Sequence, residues 1–154
     1  MNALCTDYME RFLAGLSDGA HIAAAITQER EIPFCITISQ RLTMDSSPLI
    51  VGVAASFDAF CAVASGYSGI ALSGMDDLVV DAVSEWFNVI NGHFSSRMRE
   101  HGTAVSIIDP PHHYHGTAVP SSPLFDITAA CSAGILRIMG AQDEFLPVRK
   151  GTVR

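Results

Sequence analysis

Apolar residues recur at steps of three and four between Asp77 and Glu100: Val80, Val83, Phe87, Ile90, Phe94 and Met98. That period brings all of them onto one stripe of an α-helix and predicts a long helix packed inward along it. Asp76 or Asp77 can cap its start, Arg97, Arg99 and His101 suit the negative end of the helix dipole, and Gly102 supplies the stop. At about 100° per residue, Asp81, Glu85, Asn88 and Gly92 gather on the side roughly opposite the stripe. Two carboxylates, a carboxamide and a glycine thus line the face left to water or to a partner. A glycine inside a helix costs about 1 kcal/mol against alanine, and its missing side chain leaves room for another backbone to come close. Trp86 falls beside the stripe, where core packing competes with a place on the rim of a partner-binding patch.

Residues from about Leu4 to Leu16 read as a first helix, with Leu4, Tyr8, Phe12 and Leu16 on one face and Ser17-Asp18-Gly19 as the exit. His21 to Thr27 is alanine-rich and fits either a helical extension or a buried strand. Pro33 to Leu42 alternates as a strand does: Phe34, Ile36 and Ile38 face one way, Cys35, Thr37 and Ser39 the other, and Asp45-Ser46-Ser47-Pro48 bounds it. Leu49 to Ser56 and Phe60 to Ser65 read as two apolar strands of a β-hairpin turning at Phe57-Asp58-Ala59. Gly66 to Met75 is a loop or a short helical turn, and Thr103 to Ile108 a strand ended by Asp109-Pro110-Pro111. Phe125 to Cys131 and Ile135 to Met139 form either a second hairpin around Ser132-Ala133-Gly134 or one long bent strand. The sum is an α+β fold, an antiparallel sheet with two helices packed against it. Residues 1–145 read as a single domain, and 146–154, basic beyond Val148, as a mobile C-terminal tail.

Composition narrows the function classes. A chain of 154 residues, 49% hydrophobic and 16% charged, is long and apolar enough for a real core. Its net charge of -7 and scattered basic residues argue against nucleic acid as a partner. With no apolar run of about 18 residues and no basic-then-apolar opening, the expected location is the cytoplasm, without membrane association. Cys5, Cys35, Cys61 and Cys131 lie far apart with no Cys-x2-Cys pair, which suits reduced, partly buried thiols.

The outward helix face continues into a longer pattern, Asp81-x3-Glu85-x2-Asn88-x22-Pro111. Fixed positions at these spacings resemble the signature of the CheC/CheX/FliY family of chemotaxis phosphatases. Glu85-Trp86-Phe87-Asn88-Val89-Ile90-Asn91-Gly92, with Pro110-Pro111 beyond, resembles its CheX branch most, and the likeness is clearest from about Leu49 to Phe145. The CheC branch resembles two copies of Glu-x2-Asn on two helices; the first helix here carries none, so the single copy fits CheX. The bulky pair Trp86-Phe87 inside the motif and the glycine-free stretch Phe57 to Phe60 depart from the family's pattern.

A carboxamide is neither base nor nucleophile at neutral pH; it donates and accepts hydrogen bonds. Such a group assists hydrolysis by fixing a water in line with a phosphoryl centre. What the resemblance implies is a CheY-type response regulator as substrate, carrying an aspartyl phosphate and a bound Mg²⁺. Asn88 would orient the attacking water, Glu85 would pair with the regulator's lysine, and Asp81, Gly92 and Pro111 would serve placement. The chain would need no cofactor or metal of its own, since the Mg²⁺ sits on the partner, and a homodimer through sheet edges is implied as well. An alternative within the same fold is a non-catalytic module that binds a receiver domain or a flagellar switch component. A third reading, of another class, takes His112, His113 and His115 as zinc or nickel ligands, with His113 and His115 sharing a strand face; no carboxylate or cysteine at ligand spacing joins them.

Overall fold

The structure is a computed structural model that describes residues 2–28, 36–74 and 76–148. The expected strand's first part, Pro33-Phe34-Cys35, and the tail beyond Val148 lie outside the described residues.

A hairpin forms the middle of the sheet. Strands β2 (Ile36–Met44) and β3 (Ser47–Ala55) pair antiparallel from Ile36↔Ala55 to Met44↔Ser47. Asp45 and Ser46 join them with φ of 50° and 68°, the doubly left-handed backbone whose twist matches that of the strands. Asp45 is held there by Ala104, whose N–H donates to the aspartate Oδ1 at 3.1 Å and whose carbonyl accepts from the Asp45 N–H at 2.8 Å. β7 (Pro123–Cys131) and β8 (Gly134–Ala141) form a second hairpin about Ser132-Ala133, so the two-strand reading of that stretch holds. β1 (Ala25–Thr27) is a mostly exposed edge strand on β7, neither a helical extension nor a buried strand. With β4 (Val105–Ile107) and β5 (His112–His115) both on β2, the order is β1-β7-β8-β3-β2-β4. The sheet is antiparallel throughout, giving the α+β class its expected form.

Among the described residues three α-helices, one more than expected, accompany the sheet: α1 (Ala3–Ala14), α2 (Phe57–Ser68) and α3 (Asp77–Glu100). The addition is α2, where the sequence reading placed the return strand of a hairpin. A short apolar run is ambiguous between strand and helix. Here the ends decide: Ser56 takes the extended N-cap conformation, Asp58 stands in the first turn, and Gly69 closes the helix at φ 75°. Ala59, Phe60, Val63 and Ala64 are then buried on one helical face. α1 is capped by Asn2, whose Oδ1 accepts from the Cys5 N–H at 2.7 Å, and runs on into a π-helical turn, Gly15–Gly19. α3 matches the predicted span, with Asp76 accepting from the Val79 N–H and all six stripe residues buried.

Helices and sheet close over one large core in which Tyr8, Phe12, Trp86, Phe87 and Phe94 are buried. Trp86 belongs to that core rather than to a rim: its ring meets Phe12 edge-on at 5.5 Å, and Nε1 donates to the Gly15 carbonyl at 3.0 Å. A smaller cluster of Ala54, Val119, Ile135 and Met139 packs with Phe145 and Val148. Beside it β6 (Ala118–Val119) pairs with β9 (Leu146–Pro147). Cys5 and Cys61 are buried and Cys131 half-buried, all as free thiols. No helix among the described residues is long and apolar enough to cross a membrane.

Candidate functional site

The segment after β4 explains how a proline separated from Asn88 by 22 residues returns to it. β4 pairs with β2 at Leu42 to Met44, and β5 pairs with it at Ile36 to Ser39; between them Arg41 keeps one bond, its carbonyl accepting from the Ile108 N–H at 3.0 Å, and Gln40 has no ladder partner on that side. The interruption is Asp109-Pro110-Pro111. Neither proline has an N–H to give to a ladder, and Asp109 and Pro110, each preceding a proline, are held near extended backbone. Asp109 thereby turns its carbonyl oxygen to the Gln40 side chain, 2.9 Å from Nε2, while its carboxylate meets Arg41 at 3.3 Å. The hydrogen bond to Glu144 and its charge, and then the bond to Asp109, raise the pKa of the Arg41 guanidinium against an opposing effect of burial.

On the other side of Gln40 lies α3. Asp81, Glu85 and Asn88 are exposed and Gly92 half-exposed on its outer face, as the periodicity requires. The Asn88 Oδ1 accepts from Gln40 Nε2 at 2.7 Å. Glu85 accepts from the Tyr67 hydroxyl at 3.1 Å, a bond from the last turn of α2. Burial, and then the bond to Glu85 and its charge, push the Tyr67 phenol up from its ordinary value, so it remains a donor at neutral pH. The Asp81 carboxylate has no partner among the described residues, and a side chain at Gly92 would meet nothing within 4 Å. Pro111 is half-buried at the start of β5. Beside this face a groove of about 230 Å³ opens between Tyr67 and His93, floored by Trp86 and Ile90.

The structure therefore brings together Glu85, Asn88 and the Asp109–Pro111 turn, with Asp81 one turn before Glu85 and Gly92 one turn after Asn88. It does not build a metal centre from the histidines. His112 to His115 are all exposed, the His113 and His115 rings pack edge-on at 5.3 Å, and no group of three or more potential ligands forms among the described residues.

Tyr67 and Gln40 escaped the sequence reading. Gln40 had a readable sign: it occupies the inward phase of β2, between Ile38 and Leu42, and is fully buried. A polar side chain on a buried face must find partners, and so points to whatever supplies them. Asn91 carries the same mark, lying buried among Phe87, Phe94 and Met98.

A large antiparallel sheet backed by helices is the fold this chain shares with the CheX and CheC-like chemotaxis proteins. Among solved structures, the chain is similar to the chemotaxis protein CheX of Desulfovibrio desulfuricans, at a TM-score of 0.75 and 16% identity over 92% of this chain and 100% of that one. CheX of Vibrio vulnificus matches at 0.76 and 12% identity, over 91% of this chain and 97% of its own. The CheX of Borrelia burgdorferi, solved in a complex with CheY, BeF₃ and Mg²⁺, matches at 0.72 and 16% identity over 91% and 97%. No protein-family model matches the chain, and no curated protein matches it by sequence.

Proposed function

We propose that this protein is a phosphatase of the CheX type, hydrolysing the aspartyl phosphate of a CheY-like response regulator in chemotaxis or two-component signalling. The observation that carries the proposal is Asn88: an exposed carboxamide, tethered at its oxygen and without a partner at its nitrogen among the described residues, beside the exposed Glu85 on a CheX fold. Support comes from the similar CheX of Borrelia burgdorferi, whose structure holds CheY with BeF₃ and Mg²⁺.

In this reading Asn88 enters the receiver's phosphorylation site and holds a water in line with phosphorus, a contribution of position rather than of proton transfer. Glu85, steadied by Tyr67, pairs with the receiver's lysine. Asp81 and the groove beside Trp86 extend the footprint, Gly92 lets the receiver's backbone approach, and Pro111 keeps the turn behind Asn88 in place. The Mg²⁺ is the partner's. The chain acts in the cytoplasm as a homodimer joined through a sheet edge, which light scattering on the purified protein tests.

The deciding experiment follows the decay of a phosphorylated receiver with and without the protein. Wild type shortens the lifetime and Asn88→Ala, still folded, does not. A mutant as fast as wild type removes Asn88 from the chemistry, and a wild type that binds the receiver without shortening its lifetime leaves a binding module.

A further inference from the structure

Behind Asn88 stands a row of buried polar groups that the proposed reaction does not itself call for. Gln40, Asn91 and Tyr8 are each fully buried, and they come from β2, α3 and α1. The Tyr8 hydroxyl donates to Asn91 Oδ1 at 2.6 Å, Asn91 Nδ2 donates to Gln40 Oε1 at 2.7 Å, and Gln40 Nε2 donates to Asn88 Oδ1 at 2.7 Å and to the Asp109 carbonyl at 2.9 Å. Burying this much polarity in a core is costly unless every member is paired, and here the pairings run unbroken from interior to surface.

The row also has a fixed sense. A backbone carbonyl only accepts, so the Gln40 group facing Asp109 is its NH₂. The Asn88 atom facing that same NH₂ must then be the oxygen. Gln40 Oε1 in turn takes the Asn91 NH₂, and Asn91 Oδ1 takes the Tyr8 proton. Every amide is oriented by one main-chain oxygen, and what remains for the exposed end of Asn88 is its own NH₂. A donor there grips one lone pair of a water, leaving the other lone pair for phosphorus and both water protons for neighbouring oxygens. An amide turned the other way would take a water proton and leave the lone pairs unaimed.

We propose that Gln40 is a positioning residue: backed by Asn91 and Tyr8 and set by the Asp109 carbonyl, it holds the Asn88 carboxamide with its NH₂ outward before any receiver docks. The hydrolytic part of this rests on the function proposed above; the orientation does not. Gln40 touches neither substrate nor water and acts through Asn88 alone.

Two measurements separate these parts. In ¹⁵N-labelled protein without partner, the Gln40 side-chain amide protons, identified by their loss in Gln40→Met, exchange slowly with water because Gln40 is fully buried and both protons are committed to acceptors. Those of Asn88, identified with Asn88→Ala, exchange fast. Gln40 protons exchanging as fast as those of Asn88 overturn the tether, whatever the protein does to receivers.

In the decay assay, Gln40→Met lowers kcat by about 10- to 100-fold with the affinity for a BeF₃- and Mg²⁺-loaded receiver unchanged, and adds nothing to Asn88→Ala. Gln40→Glu, which keeps the shape and the bond from Asn91 but withdraws the donor, gives the same split should the methionine variant not fold. A loss of affinity equal to the loss of kcat, or a further loss in the Asn88→Ala background, overturns the positioning role. A wild type without effect on any receiver overturns the phosphatase reading and Gln40's part in it, while slow exchange at Gln40 still upholds the held orientation.

Discussion

Gly92→Ala separates what the fold wants from what a partner wants. Within α3 the glycine is a pure cost: apart from the helix's own backbone, no described atom lies within 4 Å of where a Cβ would stand, so alanine enters without a clash. Helix propensity then favours the variant by about 1 kcal/mol. For a chain of this size that corresponds to a rise in Tm of roughly 2–4 °C, readable by thermal melting under circular dichroism. Gly66→Ala in α2 is the control, because its Cβ would fall on the Ala20 backbone carbonyl, and the melting point should drop. Against the receiver the order reverses. If another backbone comes down on this face, the methyl group keeps it away, and a tenfold weaker Kd, about 1.4 kcal/mol, is expected by titration with a BeF₃- and Mg²⁺-loaded receiver. A variant that melts higher and binds as tightly as wild type refutes the close approach at Gly92. One that melts lower refutes the reasoning about the helix itself.

Other outcomes follow from the same geometry. Glu85→Lys places a cation where a lysine is to be met, so KM for the phosphorylated receiver should rise at least about tenfold, the effect of turning an attraction into a like-charge repulsion; an unaltered KM takes Glu85 out of the interface. Complete burial holds the Tyr8 phenol well above its ordinary value near 10. Below that value both folded and unfolded chains keep the proton, and above it only the unfolded chain gives it up, so stability falls as pH rises past about 10, by up to 1.4 kcal/mol per pH unit. Urea unfolding at pH 8 and 11 should show this slope flattened in Tyr8→Phe, which starts lower by about 1–3 kcal/mol because Asn91 Oδ1 loses its donor. An equal slope in the variant places the titration elsewhere.

How far the chain could be read from its letters depended on how much of each signal was local. α3 was legible to its caps because 24 residues of amphipathic period, an aspartate before it and a glycine after it all agree. Its outer face was legible for the same reason, and with it Asp81, Glu85, Asn88 and Gly92. Residues 57–68 were misread because twelve residues with few polar positions carry no clear period, and the choice of helix rests on the left-handed stop at Gly69 and on packing against the sheet. The row from Tyr8 to Asn88 was beyond reach: it joins three elements separated by up to 83 residues, and nothing local tells Asn91 that a tyrosine hydroxyl will be waiting. What the letters did offer was the anomaly of Gln40 and Asn91, polar residues on apolar phases.

The two prolines that open the ladder opposite Gln40 also shape what the sheet can do at its rim. They cut the strand along β2 into pieces of three and four residues, and β1 at the opposite edge is three residues long. A neighbouring chain seeking to extend the sheet along these described strands finds stubs, too short to template a continuous main-chain zipper. The same brevity shields the protein from runaway stacking into fibrils.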